Sequence, residues 1–68
     1  MTYTEGMIEI IKELKQVIEE KQVSPETAAR FIGCSGREVR RWLEGQTIPL
    51  PLSRQAIKRG LRRIRKNL

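Results

Sequence analysis

The sequence predicts an all-α protein, a small bundle of four to five helices that forms one domain. Apolar residues recur at helical spacing in four stretches, and residue types that start or stop helices separate those stretches. No strand-like segment follows Gly45. A chain of 68 residues buries only about 60% of its unfolded surface on folding, so we assign residues 1–68 to a single domain.

The first predicted helix covers residues 4–21. Thr2 and Glu5 form the S/T-x-x-E signature of a helix start, and an apolar stripe follows at helical spacing. The stripe consists of Met7, Ile10, Ile11, Leu14, Val17 and Ile18. We expect this helix to be the wall on which the next two helices are held.

The second predicted helix begins at Pro25, within the stretch SPETAARFIGCSGREVRRWLE of residues 24–44. Ser24 precedes it as a candidate N-cap, and proline fits the first helical position because the N–H that it lacks has no partner there. The apolar face consists of Ala28, Phe31 and Ile32. Gly33 follows, which predicts a helix end in the left-handed conformation.

The third predicted helix covers residues 36–44. It starts after a capping box of Ser35 and Glu38, in which each side chain satisfies a backbone N–H of the other residue. The inward stripe consists of Val39, Trp42 and Leu43, and the opposite face consists of Gly36, Arg37, Arg40, Arg41 and Glu44. Because a guanidinium group fits guanine O6 and N7 and also binds phosphate, the outer face predicts contact with duplex DNA.

The segment after Gly45 is predicted to be a loop, because Pro49 and Pro51 exclude a continuing helix. We expect the apolar side chains of Ile48, Leu50 and Leu52 to turn inward. Ser53 is the candidate cap of a fourth helix over residues 54–66, whose apolar stripe consists of Ile57, Leu61, Ile64 and Leu68. Gly60 lies within this helix and costs about 1 kcal/mol of helix propensity relative to alanine.

Composition argues against catalysis. The chain has no histidine and one cysteine, so it holds no Cys/His or Ser/His/Asp constellation and no metal-ligand set. We therefore expect no enzymatic activity, no cofactor and no metal, and we expect Cys34 to pack as a small hydrophobe. The sequence has no secretory signal and no run of about 18 apolar residues, which favours a cytoplasmic, nucleoid-associated protein without membrane contact.

The net charge of +6 is unevenly distributed along the chain. Residues 1–34 contain four basic and six acidic residues, a net charge of −2. Residues 35–68 contain ten basic and two acidic residues, a net charge of +8. Such a charge dipole orients the second half of the molecule toward a polyanion during encounter.

Residues 23–49, VSPETAARFIGCSGREVRRWLEGQTIP, resemble the helix-turn-helix core of the phage repressor and Cro-like family. The matching features are Ala29 at the helix crossing, Gly33 and Cys34 in the turn, Ser35 as cap, Val39 and Trp42 as inner residues, and Gly45 with Pro49 beyond. The resemblance implies a lambda-repressor-like fold with a central helix-turn-helix at residues 24–44. It implies a transcriptional regulator that binds double-stranded DNA in a sequence-specific manner, with a second copy of the chain as a candidate partner.

The resemblance also implies which residues contact DNA, through insertion of the helix at 36–44 into the major groove. The base contacts that it implies are Gly36, Arg37, Arg41 and Thr47. Many members carry a phosphate-binding glutamine where this chain has Pro25, so we expect Ser24 or Arg30 to take over that contact. The full set of expected phosphate contacts is Ser24, Arg30, Ser35, Arg40, Gln46 and Arg54.

Three other functions compete with this interpretation. A winged-helix excisionase-type DNA binder shares the pattern E-x-A-A-R-F-I-G with V-R-R-W but requires strands after Gly45. A protein-interaction module, such as a phage accessory factor or an antitoxin-like partner, keeps the fold and binds protein. An RNA binder would use the basic last helix, whose cations also suit phosphate or an anionic membrane surface.

Overall fold

A computed structural model describes the backbone of residues 3–68 and the side chains of residues 9–68. It contains four helices: α1 (Tyr3–Lys21), α2 (Pro25–Ile32), α3 (Gly36–Leu43) and α4 (Pro51–Asn67). The described residues contain no strand, so the predicted all-α class is confirmed and the strands required by a winged helix are not observed. Two sequence predictions fall outside this description, the capping role of Thr2 and the inward position of the Met7 side chain.

One hydrophobic core joins all four helices. It is formed by Ile10, Leu14, Val17, Ala28, Ala29, Ile32, Val39, Trp42, Ile57, Leu61 and Ile64. The described residues include no buried polar or charged side chain. The apolar stripes predicted from the sequence therefore meet in a single interior, as helical spacing requires of amphipathic helices. Leu68 is the exception, because it lies beyond the last residue of α4 and is 55% exposed, so its predicted place in the stripe is wrong.

The α2 and α3 pair is held mainly on α4, through α2, and the expectation that α1 is its wall is wrong. Among the described residues, α2 packs chiefly against α4 and α3, and α1 packs chiefly against α4. Contact between α1 and α3 is slight. The arrangement arises because α4 buries Ile57, Leu61 and Ile64 at the centre of the molecule, with at most 1% of each residue exposed.

Gly60 explains how α4 approaches α2 so closely. A Cβ atom at this position would lie 2.7 Å from Cγ1 of Ile32 and 2.9 Å from its Cα. A backbone atom of a packed helix cannot move away as the end of a flexible side chain can, so only glycine fits here. Gly60 thus lowers the helix propensity of α4 but permits the close packing of α4 against α2.

The fourth helix begins earlier than predicted. Pro51 is its first residue and Leu50 its N-cap, which makes no side-chain capping bond, so the predicted cap at Ser53 is wrong. The first backbone bond runs from the N–H of Arg54 to the carbonyl oxygen of Leu50 at 2.9 Å. Proline is tolerated in the first helical turn because its missing N–H would have no helical partner there.

The loop before α4 and the first turn of α4, which contains Leu52, present their apolar residues outward, contrary to the prediction. Ile48, Leu50 and Leu52 are 57%, 70% and 79% exposed. Pro49 is buried in their place. Because alternate residues of an extended segment point in opposite directions, burial of Pro49 leaves its two neighbours on the surface. In the part of the chain that the structure describes, no helix is long and apolar enough to cross a membrane.

Candidate nucleic-acid interface

The turn between α2 and α3 is fixed at both ends. At the start of α2, the N–H of Thr27 donates to Oγ of Ser24 at 3.1 Å, as predicted for an N-cap. At its end, Gly33 adopts a left-handed conformation with φ of 95°. The N–H of Gly33 and the N–H of Cys34 both donate to the carbonyl oxygen of Ala29, at 2.7 and 3.0 Å. These bonds close α2 and direct the chain into α3.

The start of α3 is capped by Ser35, whose Oγ accepts from the N–H of Glu38 at 3.2 Å. The reciprocal bond of the predicted capping box, from the N–H of Ser35 to the Glu38 carboxylate, is not among the hydrogen bonds of the described residues. Val39 and Trp42 are 0% and 3% exposed. The cap and these two anchors fix both the position and the rotation of α3 on the core.

The end of α3 is closed by a Schellman motif around Gly45, which has φ of 76°. The N–H of Gly45 donates to the carbonyl oxygen of Trp42 at 3.2 Å, and the N–H of Gln46 donates to that of Arg41 at 2.9 Å. Both bonds have the pattern of this motif. As a result, the side chains of Gln46 and Thr47 are exposed directly beyond the helix end.

The outer face of α3 carries the predicted arginines. Arg37, Arg40 and Arg41 are all exposed, while Gly36 is half-buried. Arg37 and Arg41 are four residues apart and therefore lie on one ridge of the helix, separated by a rise of about 6 Å. We name this pair the α3 arginine ridge. Its rise corresponds to about two base-pair steps of duplex DNA.

Arg40 differs from the ridge because it has an acidic partner on α2. Its guanidinium group pairs with the carboxylate of Glu26, and both side chains keep about half of their surface exposed (57% and 46%). Gly36 lies against the same residue, since a Cβ there would be 2.8 Å from Cγ of Glu26. The predicted phosphate contact Arg40 therefore competes with an internal ion pair, worth about 0–1 kcal/mol when exposed to solvent.

The other predicted phosphate contacts lie in different places. Ser24 and Ser35 are exposed at the starts of α2 and α3, and the Ser24 hydroxyl also donates to Oγ1 of Thr27 at 3.1 Å. Arg30 lines a groove between α2 and α4 and does not join the outer face of α3. Arg54 is half-buried, with its Nε shielded from solvent. These contacts remain predictions.

Cys34 is half-buried in the turn and packs against the core, as expected for a small hydrophobe. Burial, assisted by the nearby negative charge of Glu38, raises the pKa of the thiol above its ordinary value. A thiol with a raised pKa is protonated at neutral pH and is a poor nucleophile. The described residues also contain no group of three or more side chains suited to hold a metal ion.

Sequence reasoning missed the contribution of Glu26 to this surface. Glu26 precedes Arg40 by fourteen residues and lies on a different helix, so helical periodicity could not predict that the two side chains meet. A usable signal was Gly36, because glycine is a poor helix residue and its presence at the start of α3 indicates close approach by another element.

Comparison of the chain with protein-family models, with curated proteins and with solved structures finds no match. The function must therefore be inferred from the residues and their arrangement.

Proposed function

We propose that this protein binds double-stranded DNA in a sequence-specific manner and acts as a transcriptional regulator, with α3 inserted into the major groove. The observation that carries the proposal is the α3 arginine ridge. Its two exposed guanidinium groups stand on a helix that is capped at both ends and anchored by Val39 and Trp42. A helix fits the major groove of B-DNA, and arginine is the residue that most often reads guanine there.

Binding begins with the charge distribution. The net charge of +8 on residues 35–68 attracts the phosphate backbone, whereas residues 1–34 carry a net charge of −2. Release of counterions from about five neutralised phosphates would give a log-log salt slope near −4.5. Ser35, Gln46 and, once released by Glu26, Arg40 are the exposed polar groups placed beside the ridge to make such contacts.

Specificity arises from Arg37 and Arg41. A bidentate contact with guanine contributes about 1–3 kcal/mol of discrimination against the wrong base. Because the two side chains are separated by about 6 Å along the helix, we expect them to select two positions about two base-pair steps apart. Gly36 and Thr47, at the two ends of α3, are the proposed flanking contacts, through the backbone and the hydroxyl respectively.

The proposal is tested by selecting preferred duplexes from a random pool and measuring their affinity by fluorescence anisotropy at physiological salt. We expect Arg37→Ala with Arg41→Ala to lower the affinity for the selected duplex by 2 kcal/mol or more, about thirtyfold. The matched control is Lys12→Ala with Lys15→Ala, which removes the same charge from exposed positions of α1.

The control variant is expected to lower affinity for selected and random duplexes equally and by a small factor. A selection that yields no preferred sequence would contradict sequence-specific binding. Equal losses in the ridge variant and the control would show that total charge governs binding.

A protein-interaction module is the second candidate, and one observation favours it. Ile48, Leu50 and Leu52 form a run of large apolar side chains that are 57–79% exposed. Contiguous exposed apolar patches are typical of protein contact sites, and we expect these three side chains to form one. If this function is the correct one, Leu50→Ser with Leu52→Ser will abolish a partner interaction and leave duplex affinity unchanged, while the ridge variant will leave the partner interaction intact.

A further inference from the structure

The outward side of α4 carries a second basic surface that α3 does not share. We name it the α4 basic face, and it consists of Lys58, Arg59, Arg62, Arg63 and Lys66. All five residues are exposed, and none forms an ion pair with an acidic side chain of the described residues. Arg65 behaves differently, because its guanidinium Nη1 lies 3.0 Å from the Glu13 carboxylate.

The inward side of α4 argues against insertion of this helix into a membrane surface. A helix that lies on a membrane must bury its apolar side among lipid chains. In α4 that side consists of Ile57, Leu61 and Ile64, which the core of the protein already covers almost completely. Only charge is left to attract a partner.

The number of charges per length of this face is similar to the number of phosphate charges per length of a nucleic acid. Lys58 and Lys66 are eight residues apart, so the five cations occupy about 12 Å of helix. Over the same length duplex DNA carries about seven phosphate charges. Three of the five cations are arginines, whose planar donor fork suits phosphate oxygens.

A groove extends the α4 basic face toward α2. It is lined by Thr27, Arg30, Phe31, Arg63 and Asn67. Arg30, an expected phosphate contact, therefore joins the cations of α4 and not those of α3. The groove adds hydroxyl and amide donors to the cations, and a phosphate backbone accepts from such groups.

The helix α2 lies between the helix that carries the α4 basic face and the helix that carries the α3 arginine ridge. Among the described residues α2 packs on both helices, whereas α3 and α4 are not a packed pair. The body of the protein is 20–21 Å thick in its two shorter directions. With α2 between the two helices, we expect a straight duplex held in its major groove by α3 to leave the cations on the outward side of α4 free.

We propose that the α4 basic face binds the phosphate backbone of a second duplex DNA segment, so that one molecule bridges two segments. This inference rests on the proposed function of α3, since bridging requires that the first segment is held there. The second contact is made to phosphates alone and is independent of sequence.

The proposal is tested with two duplexes at physiological salt. The first carries the selected sequence and is immobilised on beads, and the second is a fluorescent duplex of random sequence. The wild-type protein retains the second duplex. Arg59→Gln combined with Arg62→Gln and Lys66→Gln is expected to reduce that retention at least about tenfold, because three phosphate contacts are lost. Binding of the first duplex is expected to change less than about threefold.

A charge-conserving variant is the matched control. Arg59→Lys combined with Arg62→Lys and Lys66→Arg keeps all five cations, and we expect it to retain the second duplex nearly as well as the wild type. Circular dichroism of both variants verifies that α4 is intact. All three changes lie at exposed positions that do not contact the core.

Three results would overturn the proposal. The first is that the wild-type protein retains no second duplex. The second is that the glutamine variant bridges as well as the wild type, as it would if self-association joined the two duplexes. The third is that single-stranded DNA or structured RNA displaces the second duplex at a tenfold lower concentration than unlabelled duplex.

Failure of the function proposed for α3 gives a separate pattern. In that case the wild-type protein shows no sequence preference, and the glutamine variant loses the first duplex as well as the second. If α3 functions as proposed, the ridge variant with Arg37→Ala and Arg41→Ala loses preference for the selected duplex and still captures random duplex through α4.

Discussion

The two basic helices of this protein differ in what fixes them and in what surrounds their charge. The eight residues of α3 are capped by Ser35 at one end and by the Schellman motif around Gly45 at the other. Three acidic side chains accompany its arginines, namely Glu26, Glu38 and Glu44. The seventeen residues of α4 contain seven basic and no acidic residues, and the start of α4 has no side-chain cap.

On this comparison α3 is the better candidate for recognition of base sequence, although α4 carries the larger charge. α4 is the structural centre of the fold, and its cations form an outer layer on a helix whose other side is fully packed. α3 has fewer cations, but the helix that carries the two ridge arginines is fixed in orientation by its caps and by Val39 and Trp42, and Arg40 beside them is paired with Glu26. Orientation favours base recognition, whereas charge density favours sequence-independent phosphate binding.

The largest expected effect concerns the anchor of α3. Trp42 is 3% exposed, and its replacement by alanine is expected to cost about 3–5 kcal/mol. A 68-residue domain has a total stability of about 3–10 kcal/mol, so Trp42→Ala removes a large share of that stability, or all of it, as a urea titration would measure. Arg41→Ala, on the outer face of the same helix, is expected to change stability by less than about 0.5 kcal/mol. Similar losses in the two variants would refute the assigned orientation of α3.

The next effect concerns the inner side of α4. Gly60→Ala gains about 1 kcal/mol of helix propensity but places a Cβ against the backbone of Ile32. Overpacking of this kind costs about 1–3 kcal/mol, so we expect a net loss of stability, measured by urea or thermal unfolding. Gln55→Ala, at an exposed position of the same helix, serves as the control and is expected to be neutral or slightly stabilising. A stabilised Gly60→Ala variant would contradict the close contact between α2 and α4.

A stabilising change is expected at the end of α1, away from both basic helices. Gln22 has φ of 53°, a left-handed conformation that side chains other than glycine seldom adopt. Gln22→Gly is therefore expected to raise the free energy of unfolding by about 1 kcal/mol. Gln22→Ala, which keeps the Cβ, is expected to bring no such gain. DNA binding is expected to stay the same in both variants, because the residue lies outside the proposed contacts.

The smallest effect separates the two ion pairs. Glu26→Gln releases Arg40 beside the α3 arginine ridge, and Glu13→Gln releases Arg65 between α1 and α4. Each change is expected to cost less than about 1 kcal/mol of stability. Only Glu26→Gln is expected to strengthen binding to the selected duplex and to steepen the salt slope, by about 0.9. Equal gains in affinity would show that net charge, and not the position of Arg40, determines binding.

The sequence predicted the helices well wherever their ends are marked by local chemistry. Ser24 with Pro25, Gly33, Ser35 and Gly45 all act as predicted at the ends of α2 and α3. The start of α4 was misplaced by three residues, because prolines break a helix and also start one, and only the fold decides between the two.

The contacts between distant residues could not be predicted in the same way. Two such contacts are the approach of Gly60 to Ile32 and the pairing of Glu26 with Arg40. Both depend on how the helices pack against one another, and the spacing of residues along the sequence does not indicate that packing. For the candidate site, the pattern predicted the exposed arginines correctly. It could not show that Arg30 faces α4 or that Arg40 already has a partner.

Docking of α3 into the major groove is tested by titrating the isotope-labelled protein with the selected duplex at physiological salt and following the backbone amide chemical shifts. We expect the changes at one equivalent to concentrate on residues 35–44 and on Gln46 and Thr47. Residues 58–66 are expected to respond only when duplex is added beyond one equivalent. Changes confined to residues 54–68, or none at all, would contradict docking through α3 and would make the charge of α4 the basis of binding.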